Sequence, residues 1–211
     1  MAPSAPKSAR GRFLVLDGID GCGKSTQSEL LARALAQRSG QVVLHLREPG
    51  STELGEGLRE LLLAREMPIS ARVETLLFAA ARAQMLEELV APALGRGELV
   101  VCERFHSSTF AYQAVAGGLA EDEVLALLQG WAGSPAPDLV LWLDLPLELA
   151  LERRGAASDR IERRDLEFQR AVTRGYARYA ERVRGVVRVD AAGTPAAVAA
   201  AVLAEATRVL G

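Results

Sequence analysis

An α/β fold built on a mainly parallel sheet is predicted by three observations. Short runs rich in Val and Leu, with little polar alternation, recur five times, the pattern of strands covered on both faces. Longer amphipathic runs separate them. Strand and helix patterns then alternate along the whole chain, the order that parallel strand–helix–strand units require. At 211 residues the chain has the size of one domain and can close a core without disulfide or metal staples.

Taken in order, residues 1–11 (MAPSAPKSARG) carry no apolar run and read as a flexible tail rather than a signal peptide, ahead of a single domain over 12–211. The strand runs fall at 13–17, 42–46, 99–102, 139–143 and 186–189. Helical patterns occupy 25–37, 54–63, 71–90, 121–131, 147–154, 166–183 and 195–209. Around 153–165 the chain turns polar, with Arg153, Arg154, Arg160, Arg163 and Arg164 among acids. That segment interrupts two helical patterns and reads as a mobile surface excursion.

Composition narrows the function. Hydrophobic residues make up 49% and charged residues 25%, ordinary for a soluble globular protein. A formal net charge of -2 argues against a dedicated nucleic-acid binder, which would carry a basic excess. No apolar stretch is long enough for a membrane span. The two cysteines, Cys22 and Cys102, form neither a CxxC nor a zinc pattern, which suits a reduced, cytoplasmic setting. Among the 25 basic residues only Lys7 and Lys24 are lysine. A lysine retained at 24 in an arginine-dominated chain hints that a planar guanidinium would not serve there.

Lys24 lies in Gly18-Ile19-Asp20-Gly21-Cys22-Gly23-Lys24-Ser25, which fits GxxxxGK(S/T) between a strand run and a helical run. Glycines let successive backbone N–H groups turn inward around phosphate oxygens, and the helix start adds partial positive charge. Lys24 is placed to reach the terminal phosphates of a bound nucleotide and Ser25 to ligate Mg²⁺. With Thr26, these residues form the expected ATP-binding loop. A GTPase would need an NKxD-type loop, which two lysines at these positions exclude. A small phosphotransferase or a nucleotide-dependent switch remains.

Several stretches together resemble the thymidylate kinase family: LDGIDGCGKST at 16–26, LREPGSTELG at 46–55, LLFAAARAQ at 76–84, CERF through AYQ at 102–113, PDLVLWLDLP at 137–146 and DRIE at 159–162. The resemblance implies a P-loop NTPase-type three-layer fold with a five-stranded parallel sheet. It also implies a homodimer and Mg²⁺-dependent in-line transfer of phosphate from ATP to dTMP in dTTP biosynthesis. By family position, Arg104 would bind the acceptor phosphate, beside Glu48 and Pro49. Asp20 would lie near the sugar, Phe78 would stack on thymine, and Arg82 would read a base carbonyl. Thr109 would face the base, Tyr112 would crowd C2′, and Gln113 would join the dTMP-binding set.

A small residue at position 22 and a basic excursion resemble the bacterial type, in which arginines of the lid, here Arg153 and Arg160, clamp the moving phosphate. The family's usual Asp before the arginine is Glu103 here, a second candidate metal ligand beside Ser25. Read without the family, Arg163 and Arg164 are surface charges, and His45 and His106 are structural. Asp138 and Asp144 are turn or cap residues. Cys22, among inward amides at a helix start, is expected to favour its thiolate and to be open to oxidation. A deoxynucleoside kinase, with Glu48 as general base, stays open as an alternative, as does a non-enzymatic switch.

Overall fold

The computed structural model describes residues 10–64, 68–155, 160–161 and 163–210. The tail at 1–9 and positions 156–159 and 162, which include Asp159 and Glu162 of the DRIE stretch, lie outside the described residues. Five parallel strands form one sheet in the order β2-β3-β1-β4-β5. They are β1 (Arg12–Asp17), β2 (Val43–Arg47), β3 (Leu99–Glu103), β4 (Leu139–Asp144) and β5 (Val186–Asp190).

The runs without polar alternation are explained by burial on both faces. Leu14 and Leu16 of β1 join Val101 and Leu141 in one core, whereas Phe13 and Val15 join Val100 and Cys102 in the other. Helices α1 (Lys24–Ser39) and α9 (Pro195–Leu210) cover the first face, packed on each other. The second face is covered by the chain that follows α3 (Ala71–Met85). There the predicted helix at 71–90 runs on through a π-helical turn, Leu86–Val90, into α4 (Ala91–Gly95). Pro92 stands at the start of α4 and has no N–H for the regular ladder, so the bonding pattern shifts just ahead of it.

The remaining helices are α2 (Glu53–Leu63), α5 (His106–Thr109) with a π-helical continuation Phe110–Val115, α6 (Glu121–Gln129), α7 (Leu147–Arg154) and α8 (Leu166–Arg182). The α6 helix stops two residues before its predicted end at 131, with Gly130 at the cap. Asp138 and Asp144 are cross-links rather than caps. Asp138 accepts from Phe13 N (2.8 Å) and Arg12 (3.1 Å), and Asp144 accepts from Arg188 Nε (2.7 Å). His106 is structural as expected: its Nε2 lies 2.9 Å from Ala132 O, and burial pushes its pKa down to about 3.

The strand order places the site. The chain leaves β1 for β2 on one side of the sheet and leaves β3 for β4 on the other. The crevice between the C-terminal ends of β1 and β3 is therefore the place where an open sheet of this kind takes a ligand. Both motif loops, 18–25 and 103–109, open into it.

Candidate active site

The turn after β1 is shaped for anions. Gly21 has φ 89° and a side chain there would meet Ala150 O at 2.1 Å. Gly23, with φ 91°, has open space around it, so only its left-handed backbone demands glycine. Lys24 opens α1 and is buried, its Nζ donating to Ile19 O (2.9 Å) and lying 3.3 Å from Asp20 Oδ1. Ser25 Oγ donates to Glu103 Oε1 (2.9 Å), which joins the two expected metal ligands across the crevice.

Cys22 departs from its expectation. Its side chain is 2% exposed and belongs to the apolar core. Burial pushes the thiol's pKa up, against the pull of Lys24, whose Nζ is 4.0 Å away. An accessible thiolate is the form that reacts, so the proposed oxidation sensitivity loses its basis.

Across the crevice, Arg104 follows β3 with φ 67°, a conformation that costs a non-glycine residue and tends to mark functional loops. Its N–H donates to Leu16 O (2.9 Å), its guanidinium pairs with Asp20 and reaches Ser108 Oγ (3.2 Å), and it lies over the Tyr112 ring (5.9 Å). Tyr112 Oη donates to the other oxygen of Asp20 (2.8 Å). Burial works to raise the Asp20 pKa, but Arg104 and Lys24 overcome it and hold the carboxyl well below the usual range.

A second cleft of ≈ 560 Å³, its mouth included, opens beside this one, within the range of small-ligand sites. The sequence predicts Asp20, Glu48, Pro49, Phe78, Arg82, Arg104, Thr109, Tyr112 and Gln113 around one acceptor, and all of them line it. Arg82 is 1% exposed. Its Nε contacts Glu48 Oε2 (2.8 Å), its Nη2 donates to Thr109 Oγ1 (3.0 Å), and its Nη1 has no hydrogen-bond partner among the described residues. A buried guanidinium N–H without an acceptor is costly, and a hydrogen-bond acceptor brought to Arg82 would offset that cost.

Glu48 lines both cavities and also pairs with Arg82, with burial pushing its pKa up to about 7 against that arginine's pull. A carboxylate so committed orients the arginine.

The two arginines of the excursion part company. Arg153 lines the phosphate cavity and donates to Ala191 O (2.8 Å) and Ala192 O (3.0 Å). Arg160 is not at the phosphate turn. It pairs with buried Glu74 (2.6 Å) and donates to Leu62 O (3.1 Å), while Gln113 Nε2 donates to the other oxygen of Glu74 (3.1 Å). Arg164 is exposed, as expected, and from the surface it approaches Glu74 at 3.6 Å and lies over Phe168.

Sequence reasoning missed Arg59. It lines both cavities, half-buried, donating to Pro49 O (3.0 Å), and burial with the charges of Arg47 and Arg104 lowers its pKa. A lone base three residues after Glu56 reads as a surface helix pair, so no local signal marks it. The phosphate cavity (≈ 1640 Å³) and the second cleft share a wall made of Asp20, Glu48, Arg59, Leu63 and Arg104. Two anions bound in them would meet there.

Comparison with known proteins agrees with this geometry. A sequence model of the thymidylate kinase family matches residues 16–202. The chain is 45% identical over 189 residues to a thymidylate kinase of Synechococcus sp. (strain JA-3-3Ab), covering 89% of this chain and 91% of that protein. It is 46% identical over 203 residues to that of Gluconobacter oxydans (strain 621H), covering 93% and 94%. With the thymidylate kinase of Caldanaerobacter subterraneus subsp. tengcongensis, identity is 43% over 170 residues, or 80% and 81% of the two chains.

Proposed function

This chain belongs to the thymidylate kinase family and phosphorylates dTMP with ATP, and from that premise we propose how its residues divide the work. The reading is carried by the shared wall. ATP lies with its phosphates in the 18–25 turn, dTMP occupies the smaller cleft, and Arg104 and Arg59 stand between them. The acceptor is a phosphate oxygen, largely ionised at neutral pH because its second pKa is about 6. No general base is then required, and the task is to align two anions and offset charge on the moving group.

In this reading Arg104 and Arg59 hold the dTMP phosphate and Lys24 holds the terminal phosphates of ATP. The unpartnered Nη1 of Arg82 donates to a thymine carbonyl, with Phe78 against the ring. Thr109, already accepting from Arg82, has its own O–H free for the base. Asp20 holds Arg104 and Tyr112 together at the sugar end. Arg153 lies beside the ATP phosphates. Arg160 sits on Glu74 and would have to leave it to reach the transferred group.

Mg²⁺ usually keeps several waters and takes only one or two protein oxygens beside substrate phosphates. Ser25 Oγ and a Glu103 oxygen, 2.9 Å apart, fit that demand, and the longer Glu supplies it in place of Asp. When bound, the ion would offset charge on the ATP phosphates. We also propose a homodimer, for which Leu54 on α2 and Val73 and Leu76 on α3 stay exposed on two helices packed together. Among the described residues no helix is long and apolar enough to cross a membrane, and the family resemblance favours the cytoplasm.

ADP release measured across dTMP, dUMP, dAMP, dGMP and thymidine tests the site assignment. Release that is fastest with dTMP and absent with thymidine is the expected pattern. Equal turnover of thymidine would mean that the arginine wall does not bind a phosphate.

A further inference from the structure

Asp17 is 0% exposed, ends β1, and touches neither cleft, yet it gathers donors from three separate segments of the chain. Its Oδ1 accepts from Gly18 N (2.8 Å), Ser108 Oγ (2.7 Å) and Tyr176 Oη (2.9 Å). Its Oδ2 accepts from Phe105 N (3.1 Å), Ser107 Oγ (2.6 Å) and Ser108 N (3.0 Å). Two carboxylate oxygens offer about four lone-pair sites, so the group is saturated. One partner is the first amide of the phosphate turn. Others are the residues that follow Arg104, and the last is a tyrosine from α8 that also lies 2.9 Å from Gly18 O.

The chain of contacts ends on the acceptor arginine. Arg104 Nη1 donates to Ser108 Oγ, which donates to Asp17. The strained Arg104 backbone is held from both sides, by its own N–H on Leu16 O and by Phe105 N–H on Asp17. We infer that Asp17, with Tyr176 behind it, is a positioning residue that sets the distance and angle between the ATP-holding turn and Arg104. This rests on the reading of Arg104 as the acceptor-phosphate ligand. In-line transfer depends steeply on such alignment, and a misplacement on the order of 1 Å costs about 100-fold.

The substitution Asp17→Asn separates the two sides. On the Oδ2 side two backbone N–H groups can only donate, so the amide oxygen is kept there. On the Oδ1 side both hydroxyls can rotate to accept, and only Gly18 N–H is left facing an NH₂. The variant therefore keeps the Arg104 loop and releases the phosphate turn. Tyr176→Phe, which keeps the ring, is the milder second variant.

The experiment measures kcat, KM for dTMP, ATP affinity and the ratio of ADP to dTDP formed, with melting temperature and Arg104→Ala alongside. The expected result for Asp17→Asn is a kcat lower by about 100-fold and for Tyr176→Phe by about tenfold. KM for dTMP and ATP affinity stay near wild type, while ADP forms in excess of dTDP as water competes for a poorly aligned phosphoryl group. A merely structural residue would lower the melting temperature and leave kcat per folded molecule and the product ratio unchanged, and that result overturns the inference. Should Asp17→Asn not fold, the same readouts on Tyr176→Phe decide. If Arg104→Ala is inactive while both variants are normal, this inference alone fails. If Arg104→Ala turns over dTMP normally, the reading beneath it fails instead.

Discussion

Arg104→Ala is expected to lower dTDP formation by about 10²–10³-fold while ATP affinity stays within about threefold of wild type. The division follows from placement. In the proposed reading the phosphate turn binds ATP through its own amides and Lys24, whereas Arg104 stands in the wall that this cavity shares with the second cleft. On the acceptor side, a planar fork against a phosphate is the strongest single partner on offer. The variant also leaves Asp20 with only Lys24 and the Tyr112 hydroxyl. Arg104→Lys is therefore the companion: it restores charge without the fork and should recover part of the rate. Calorimetry with ATP and a coupled ADP assay together check the prediction. Loss of ATP binding in parallel with activity would mean that donor and acceptor roles have been divided wrongly.

Arg82→Met is expected to strike both folding and recognition. Removing one partner of a buried ion pair leaves Glu48 enclosed and unpaired, at a cost of about 3–5 kcal/mol. It also removes the N–H that awaits a base carbonyl, raising Kd for dTMP by about 10–100-fold. The two effects separate in the double variant Arg82→Met with Glu48→Leu, where no buried charge is orphaned. Stability should then return toward wild type while dTMP affinity stays low. Denaturant unfolding and dTMP calorimetry on the wild type and the variants form the test. Recovery of dTMP affinity in the double variant would reduce Arg82 to a structural residue.

These two sites also show what could be read from the chain alone. The phosphate turn is local: strand, glycines, Lys24, Ser25 and helix follow one another, so spacing carries the geometry. Phe78 and Arg82 are i and i+4 on one helix, and Thr109 and Tyr112 are i and i+3 in a segment that proves helical. Neighbours in sequence were therefore legible.

What was not legible lies in contacts between distant segments. Arg59 enters the wall because α2 packs beside the crevice, and nothing within ELGEGLRELLL distinguishes it from a solvated base. The pairing of Glu48 with Arg82 arises only because α3 brings that arginine against it. Cys22 misleads in another way, since the same turn that aims its amides at the ligand aims its side chain at the core. Asp17 reads as one more strand residue, because all of its partners but Gly18 come from 88 to 159 positions away.

Simultaneous occupancy of the two clefts is the claim on which the rest depends. A bisubstrate in which adenosine and thymidine are joined through a polyphosphate chain tests it by competition calorimetry. One molecule per chain should bind more tightly than either ATP or dTMP and should displace both. A complex that displaces ATP yet still takes up dTMP at full affinity would contradict a shared wall between donor and acceptor.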